Sequence, residues 1–251
     1  VPANWTLTDA SCSSSTGSSI ISPIENGQSI ELAPADDVIC TFINTFDDGD
    51  GIVAEEEDGV PGYNGSAQGD GNGDSIADKL QANVSSVQDG PSSCWWTIET
   101  DGVQHSNVAI ETIPAGVPPG GYPCNFARFE VELGDEQSQL QLTLYFAPRN
   151  AGIQGVLKFN HLSGQWETIG TVDHSGDKTI VHYSLSDGGP YDDDQSEDGR
   201  IQDPVGAVAL PSAIPSLNPV GLGVLVVAWA LLLLSVRRRQ GRVSSVRIGR
   251  Q

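Results

Sequence analysis

Ten carboxylates and no base fall between Asp47 and Asp78, in a stretch interleaved with glycine. Part of this run has the spacing of a cation ligand set. Asp70-Gly-Asn-Gly-Asp74-Ser-Ile-Ala-Asp78 sets oxygen side chains at positions 1, 3, 5 and 9 of a loop, with the backbone carbonyl of Ile76 at position 7. Alternate residues of a tight loop converge on one point, and a hard cation such as calcium takes roughly six to eight oxygens. Asp70, Asn72, Asp74, Ile76 and Asp78 are therefore the expected ligands. Two departures predict weaker affinity: Ser75 stands where glycine eases the turn, and Gln81 where a bidentate Glu closes the shell. Asp48-Gly-Asp50-Gly-Ile52 is a partial copy. Its position 1 is Phe46 and its position 9 is Ala54, so Asp48 and Asp50 are the carboxylates it offers. The plain alternative for the whole run is a solvated acidic linker.

No other chemistry has a comparable signature. The chain lacks Gly-x-Ser-x-Gly, a Walker loop and His-Glu-x-x-His, and His105, His161, His174 and His182 are scattered. Glu130 and Glu132 fall on the solvent side of a predicted strand, whereas glycosidase chemistry needs two carboxyls across a cleft. Asp187, Asp192, Asp193, Asp194, Asp198 and Asp203 form a second acidic cluster, read equally as a solvated loop or a second cation site. An enzyme is not expected.

The elements that must carry these residues are read from composition and period. The chain has 251 residues, 29 glycines, 15 prolines and no methionine, so it reads as a mature form or a fragment. Its formal charge of −21 excludes a nucleic-acid surface, which needs clustered cations against phosphate. All 33 acids lie at or before Asp203 with six of the 12 Lys and Arg, and the other six bases lie at or beyond Arg237. Pro204 to Val236 carries no charge. Its last part, Val220 to Val236, would as a helix cover roughly 25 Å, near the ~30 Å of a bilayer core. Arg237, Arg238 and Arg239 follow at once, which predicts a span with its acidic part outside the cytoplasm.

Between about Val84 and Val208 the period is two. Phe129, Val131 and Leu133 alternate with polar residues, as do Leu140, Leu142, Leu144 and Phe146, and Val181, Tyr183 and Leu185. One apolar face per strand predicts a two-layer antiparallel sandwich, with Trp95, Trp96 and Trp166 as core anchors. Val38, Cys40 and Phe42 share one face of an earlier strand, and Ile30 and Leu32 alternate with Ser29 and Glu31. In an oxidising compartment four cysteines favour two bridges. The sequential pairing, Cys12 with Cys40 and Cys94 with Cys124, is preferred among three connectivities.

Four segments resemble known families. Asp70 to Asp78 is similar to the acidic repeats of thrombospondin type 3 and dockerin-like modules, which implies calcium as a structural clamp. Trp5 to Cys12 with Val38-Ile-Cys-Thr-Phe-Ile-Asn44 resembles the closing strands of prealbumin-like and immunoglobulin-like bacterial surface modules, which implies further strands upstream. Gln68 to Asp74, Pro118-Pro-Gly-Gly121, Trp166, Leu185-Ser-Asp-Gly-Gly189 and Gly199-Arg-Ile-Gln-Asp-Pro204 resemble the choice-of-anchor U domain, a family with no activity to carry over. Leu210-Pro-Ser-Ala-Ile-Pro-Ser-Leu217, the apolar span and Arg237 to Arg239 resemble the IPTL-CTERM class of sorting signals, relatives of PEP-CTERM, with Ser216 in place of Thr. That likeness implies a Gram-negative envelope protein whose tail a membrane sorting protease recognises; cleavage of the tail is left open.

The expectation is a mainly β chain: antiparallel β-sandwich modules joined by an acidic calcium-binding connector, with one C-terminal transmembrane helix. Its parts are the closing strands of a truncated module (1–46), the connector (47–83), the choice-of-anchor U sandwich (84–208), the sorting motif (209–218), the span (219–236) and a basic cytoplasmic tail (237–251). The expected role is non-enzymatic display or adhesion at the cell surface, toward an extracellular polysaccharide or another surface molecule. The rival reading is the anchor-proximal scaffold of a surface enzyme.

Overall fold

The computed structural model describes residues 4–24, 27–90, 92–134 and 137–209. Within them the chain is mainly strand and turn. β1 (Trp5–Ser14) and β4 (Val38–Phe46) form one antiparallel ribbon, and β2 (Ile20–Ile24) and β3 (Gly27–Glu31) a hairpin inserted between them in sequence. A single helical turn, α1 (Ala54–Glu57), and a 3₁₀ turn at Asp78–Leu80 follow. Ten strands follow among the described residues: β5 (Val84–Asp89), β6 (Cys94–Thr100), β7 (His105–Glu111), β8 (Phe126–Glu132), β9 (Gln139–Ala147), β10 (Ile153–Asn160), β11 (Gln165–Ile169), β12 (Thr171–Asp173), β13 (Thr179–Ser186) and β14 (Arg200–Ala209).

These ten make two five-stranded antiparallel sheets, ordered β11-β10-β14-β8-β7 and β12-β13-β9-β6-β5. The expected alternation sets their facing sides. Phe129, Val131, Ile201 and Val205 come from the first sheet, and Trp96, Leu142, Leu144 and Val181 from the second; all join one buried cluster. Trp96 is fully enclosed and meets Phe146 edge-on at 4.6 Å, while Trp95 and Trp166 are only partly buried. Both disulfides follow the sequential pairing. Cys12–Cys40 joins directly opposed residues of β1 and β4, and Cys94–Cys124 ties the start of β6 to the loop before β8.

Alternation alone does not account for the second sheet's other side. Ser86, Thr97 and Ile180 point away from the core cluster yet are buried, because the acidic segment lies over this face. Tyr63 packs on Tyr145 at 5.6 Å, and the Asn64 N–H donates to the Asp177 carboxylate at 3.0 Å. The stretch expected as a connector is thus a cover on the sandwich.

The N-terminal ribbon differs in the opposite sense. Its strands form where the period placed them, but Phe42 stays 53% exposed, and Leu32, beyond the end of β3, is 64% exposed. Two paired strands have no second layer to bury a face against. The loops are instead gathered by the Asp36 carboxylate, which accepts from the hydroxyls of Ser14, Ser15 and Ser19 and from the N–H of Thr16.

Among the described residues no helix is long and apolar enough to cross a membrane. The expected sorting motif (209–218), span (219–236) and basic tail (237–251) lie outside the described residues, save Ala209 at the end of β14.

Candidate metal centre

The two acidic loops differ in how their oxygens are used. In the first, Ile52 is buried in the core cluster and the Val108 N–H of β7 donates to the Asp50 carbonyl at 3.1 Å, so a buried side chain and a backbone hydrogen bond pin the loop to the sandwich. Gly49 (φ 114°) and Gly51 (φ 98°) turn the backbone through a region that side chains disfavour, which folds the loop back on itself. The carboxylate oxygens of Asp47, Asp48 and Asp50 then lie within 4.8 Å of one another. Among the described residues this is the group of three acidic, His or Cys side chains that converges so closely.

Much of this oxygen set has no donor. Asp47 accepts from the Gly49 N–H at 2.8 Å and Asp50 Oδ1 from the Ile52 N–H at 2.7 Å. Both oxygens of Asp48 and Oδ2 of Asp50 are shut off from water with no partner. Glu57, on α1, completes the picture: its Oε1 accepts from the Ser86 N–H of β5 at 3.1 Å, while its Oε2 is equally buried and unpartnered. Asp50 and Glu57 are 0% and 1% exposed. Buried polar atoms are nearly always paired, and an unpaired anion is the most costly exception.

The electrostatics state the same imbalance. Burial first, then the charges of Asp50 and Asp48, push the Glu57 carboxyl up to about 10. Burial and the neighbouring Asp50 raise Asp48 to about 7, and burial, aided by Asp47, raises Asp50 to about 6. Without a counter-charge the cluster is held together by protons.

Counting along the loop explains why Glu57 is there. With Phe46 at position 1, Asp48 is position 3, Asp50 is 5, Gly51 is 6, Ile52 is 7 and Glu57 is 12. Those are the positions of two carboxylates, the turn glycine, the carbonyl ligand and the bidentate glutamate of a calcium loop. Sequence reasoning stopped at position 9 and missed the last of them.

The second loop satisfies itself. Asp70 accepts from the N–H groups of Gly73 (2.8 Å) and Ser75 (3.0 Å), and Asn72 from that of Asp74 (3.2 Å). Asp74 is exposed and accepts from the Ile76 N–H at 2.8 Å. The Gln81 amide donates to Asp74 (3.3 Å) and to the Ile76 carbonyl (3.4 Å), and the Ile76 side chain is half exposed. Asp78 is fully buried, accepts twice from the Gly71 N–H at 3.0 Å and also holds the Ser86 hydroxyl. Ser75 sits at φ 76°, the strained geometry expected where glycine is missing. Lys178, 2% exposed, donates to the Gly71 carbonyl at 2.7 Å and faces Asp78, Asp177 and Asp70. Burial lowers this lysine to about 8 despite those three acids. An internal cation already serves this loop.

Comparison with protein-family models, with curated proteins and with solved structures finds no match to this chain. The Asp187–Asp203 cluster is met by donors: Asp187 accepts from the Gly199 N–H, Asp192 from those of Gly188 and Gln202, Asp194 from that of Ser196 and Asp198 from that of Arg200, while Asp203 points into the core. Ser85 and His105 approach to 2.7 Å but are both fully enclosed, and burial drives the imidazole down to about 3. No substrate reaches that pair.

Proposed function

We propose that this chain is a calcium-stabilised, non-enzymatic module of a bacterial surface or secreted protein, acting in display or adhesion. The ion is held by Asp48, Asp50 and Glu57, with Asp47 and the Ile52 carbonyl available to the shell. One observation carries this: the buried carboxylate oxygens of Asp48, Asp50 and Glu57 that no donor reaches. A hard divalent cation neutralises them and fastens the acidic cover to β5, since Glu57 also accepts from the Ser86 N–H. Asp70, Asn72, Asp74, Ile76 and Asp78 form the second, weaker loop in this reading, with Lys178 supporting it.

The two disulfides fit an oxidising exterior. The apolar span and arginines after Ala209, with the likeness to IPTL-CTERM signals and the choice-of-anchor U pattern, support an envelope location and recognition of the tail by a membrane sorting protease. Adhesion partners would be polysaccharides or other surface molecules, engaged by this module or by others in the same protein.

Calorimetry tests the central claim. Calcium at about a hundred times its dissociation constant adds about 2.7 kcal/mol, which for a domain of this size raises Tm by roughly 5–10 °C. Asp50→Asn abolishes that gain and Asp74→Ala leaves most of it. The reverse ranking moves the ion to the second loop, and no calcium response in either protein overturns the proposal.

A further inference from the structure

The space between the two sheets holds one arrangement that neither packing nor the calcium loops explain. Lys158 of β10 and Asp203 of β14 are 1% and 0% exposed. β10 and β14 are neighbours in the first sheet, and both side chains turn inward with Val156, Ile201 and Val205. The lysine Nζ contacts Asp203 Oδ1 and also donates to the Pro204 carbonyl at 3.2 Å. From β13 of the opposite sheet the Tyr183 hydroxyl donates to Asp203 Oδ2. An amine, a carboxyl and a phenol donor meet where all three side chains are buried between the sheets.

As ions the pair costs several kcal/mol of desolvation per charge, only partly returned by their attraction. Moving one proton from the ammonium to the carboxylate removes both charges. It leaves a nucleophilic amine held against a carboxylic acid, and fixed contact of this kind is worth an effective concentration of roughly 10⁵–10⁸ M.

We propose that Lys158 and Asp203 are joined by an intramolecular amide bond that the folded protein forms itself. The Nζ lone pair attacks Cγ of Asp203, and the charge that develops on Oδ2 is met by the Tyr183 hydroxyl. The C–Oδ1 bond breaks. Oδ1 carries the acid proton, takes a second from the attacking nitrogen and leaves as water. Ammonium plus carboxylate gives amide plus water, with no redox partner and no change in net charge. Burial and the adjacent Asp203 raise Tyr183 well above its ordinary value, so the phenol keeps the proton it must donate. The product crosslinks adjacent strands 45 residues apart and locks β14, the last described strand, into the sheet.

Mass spectrometry of the full chain, after reduction, tests this. The expected mass lies below that of the sequence by one water molecule. Proteolysis should yield a branched peptide joining the segments that contain Lys158 and Asp203, with no tryptic cleavage at Lys158. Asp203→Asn should reach the same final mass by losing ammonia, and Tyr183→Phe should form the bond at least tenfold more slowly while keeping the native near-ultraviolet circular dichroism. A natively folded wild-type chain that retains its full mass after prolonged incubation overturns the proposal. So does a water loss that maps to a succinimide at an Asp-Gly pair.

Discussion

Glu57→Gln separates a cation ligand from a merely structural carboxyl, because the two roles give opposite signs. The substitution keeps shape and keeps the acceptor for the Ser86 N–H. In the ion-free protein Glu57 is raised from 4.5 to about 10, so the folded state holds a proton that the unfolded state releases. Stability from this group is complete below pH 4.5 and falls by about 1.4 kcal/mol per pH unit as pH rises toward 10. At pH 7 the penalty is about 3 kcal/mol, and glutamine does not incur it. With EDTA at pH 7, Glu57→Gln should therefore be more stable than wild type by up to about 3 kcal/mol, or roughly 5–10 °C in Tm. With saturating calcium the order reverses, since the variant has lost a bidentate ligand and one charge. Urea titrations at pH 5 and pH 7, with calcium and with EDTA, read all four corners. The wild-type calcium effect should also grow with pH, because Asp48 and Asp50, raised to about 7 and about 6, release their protons over this range. Equal destabilisation in calcium and EDTA would refute the reasoning.

Lys178→Met should destabilise the protein by about 3–5 kcal/mol in urea, with or without calcium, since it removes the donor to the Gly71 carbonyl and leaves Asp78 buried without its cation. Replacing Cys94 and Cys124 together by serine opens a bridge over 30 residues and should cost on the order of 3 kcal/mol, read as a lower urea midpoint. Ser75→Gly relieves a positive φ and should raise Tm slightly, for a gain of about 1 kcal/mol.

The sandwich was legible because the inward sides of its strands carry apolar residues at every second position, most plainly in β8 and β9. Phe129, Val131, Leu142, Leu144 and Val181 could be assigned from period alone. The outer burial of Thr97 and Ile180 could not, since it depends on where a remote acidic segment comes to rest. Glu57 was within reach by counting twelve residues from Phe46. It was hidden by its setting in Glu55-Glu-Glu-Asp58, where composition does not say which acid turns inward. The fold decides: Ala54, Glu57 and Val60 recur every three residues and are buried, while Glu55 and Asp58 are exposed. Lys178 was obscured likewise, as one cation beside the turn at Ser175-Gly-Asp177, with no local sign that it reaches the Gly71 carbonyl.

Cations are scarce among the described residues and almost all are already engaged. Six Lys and Arg accompany the 33 acids up to and including Asp203. Lys79 pairs with Asp58, Arg128 with Glu111 and Glu130, Lys158 with Asp203 and Arg200 with Glu132. Lys178 serves the second loop, and Arg149 is exposed in the turn between β9 and β10. Among the described residues none of these is left to face Asp48, Asp50 and Glu57, the acids whose oxygens are both buried and unpartnered. Neutralisation must come from solvent, as protons or as a metal ion. Protons satisfy the cluster only by raising carboxyls far above their ordinary range, at a cost that grows with every pH unit. A divalent ion removes that cost at a stroke, and with calcium loops outside cells binding at roughly 10⁻⁴–10⁻³ M, a loop with two carboxylates, a carbonyl and a closing glutamate needs only modest affinity to be filled.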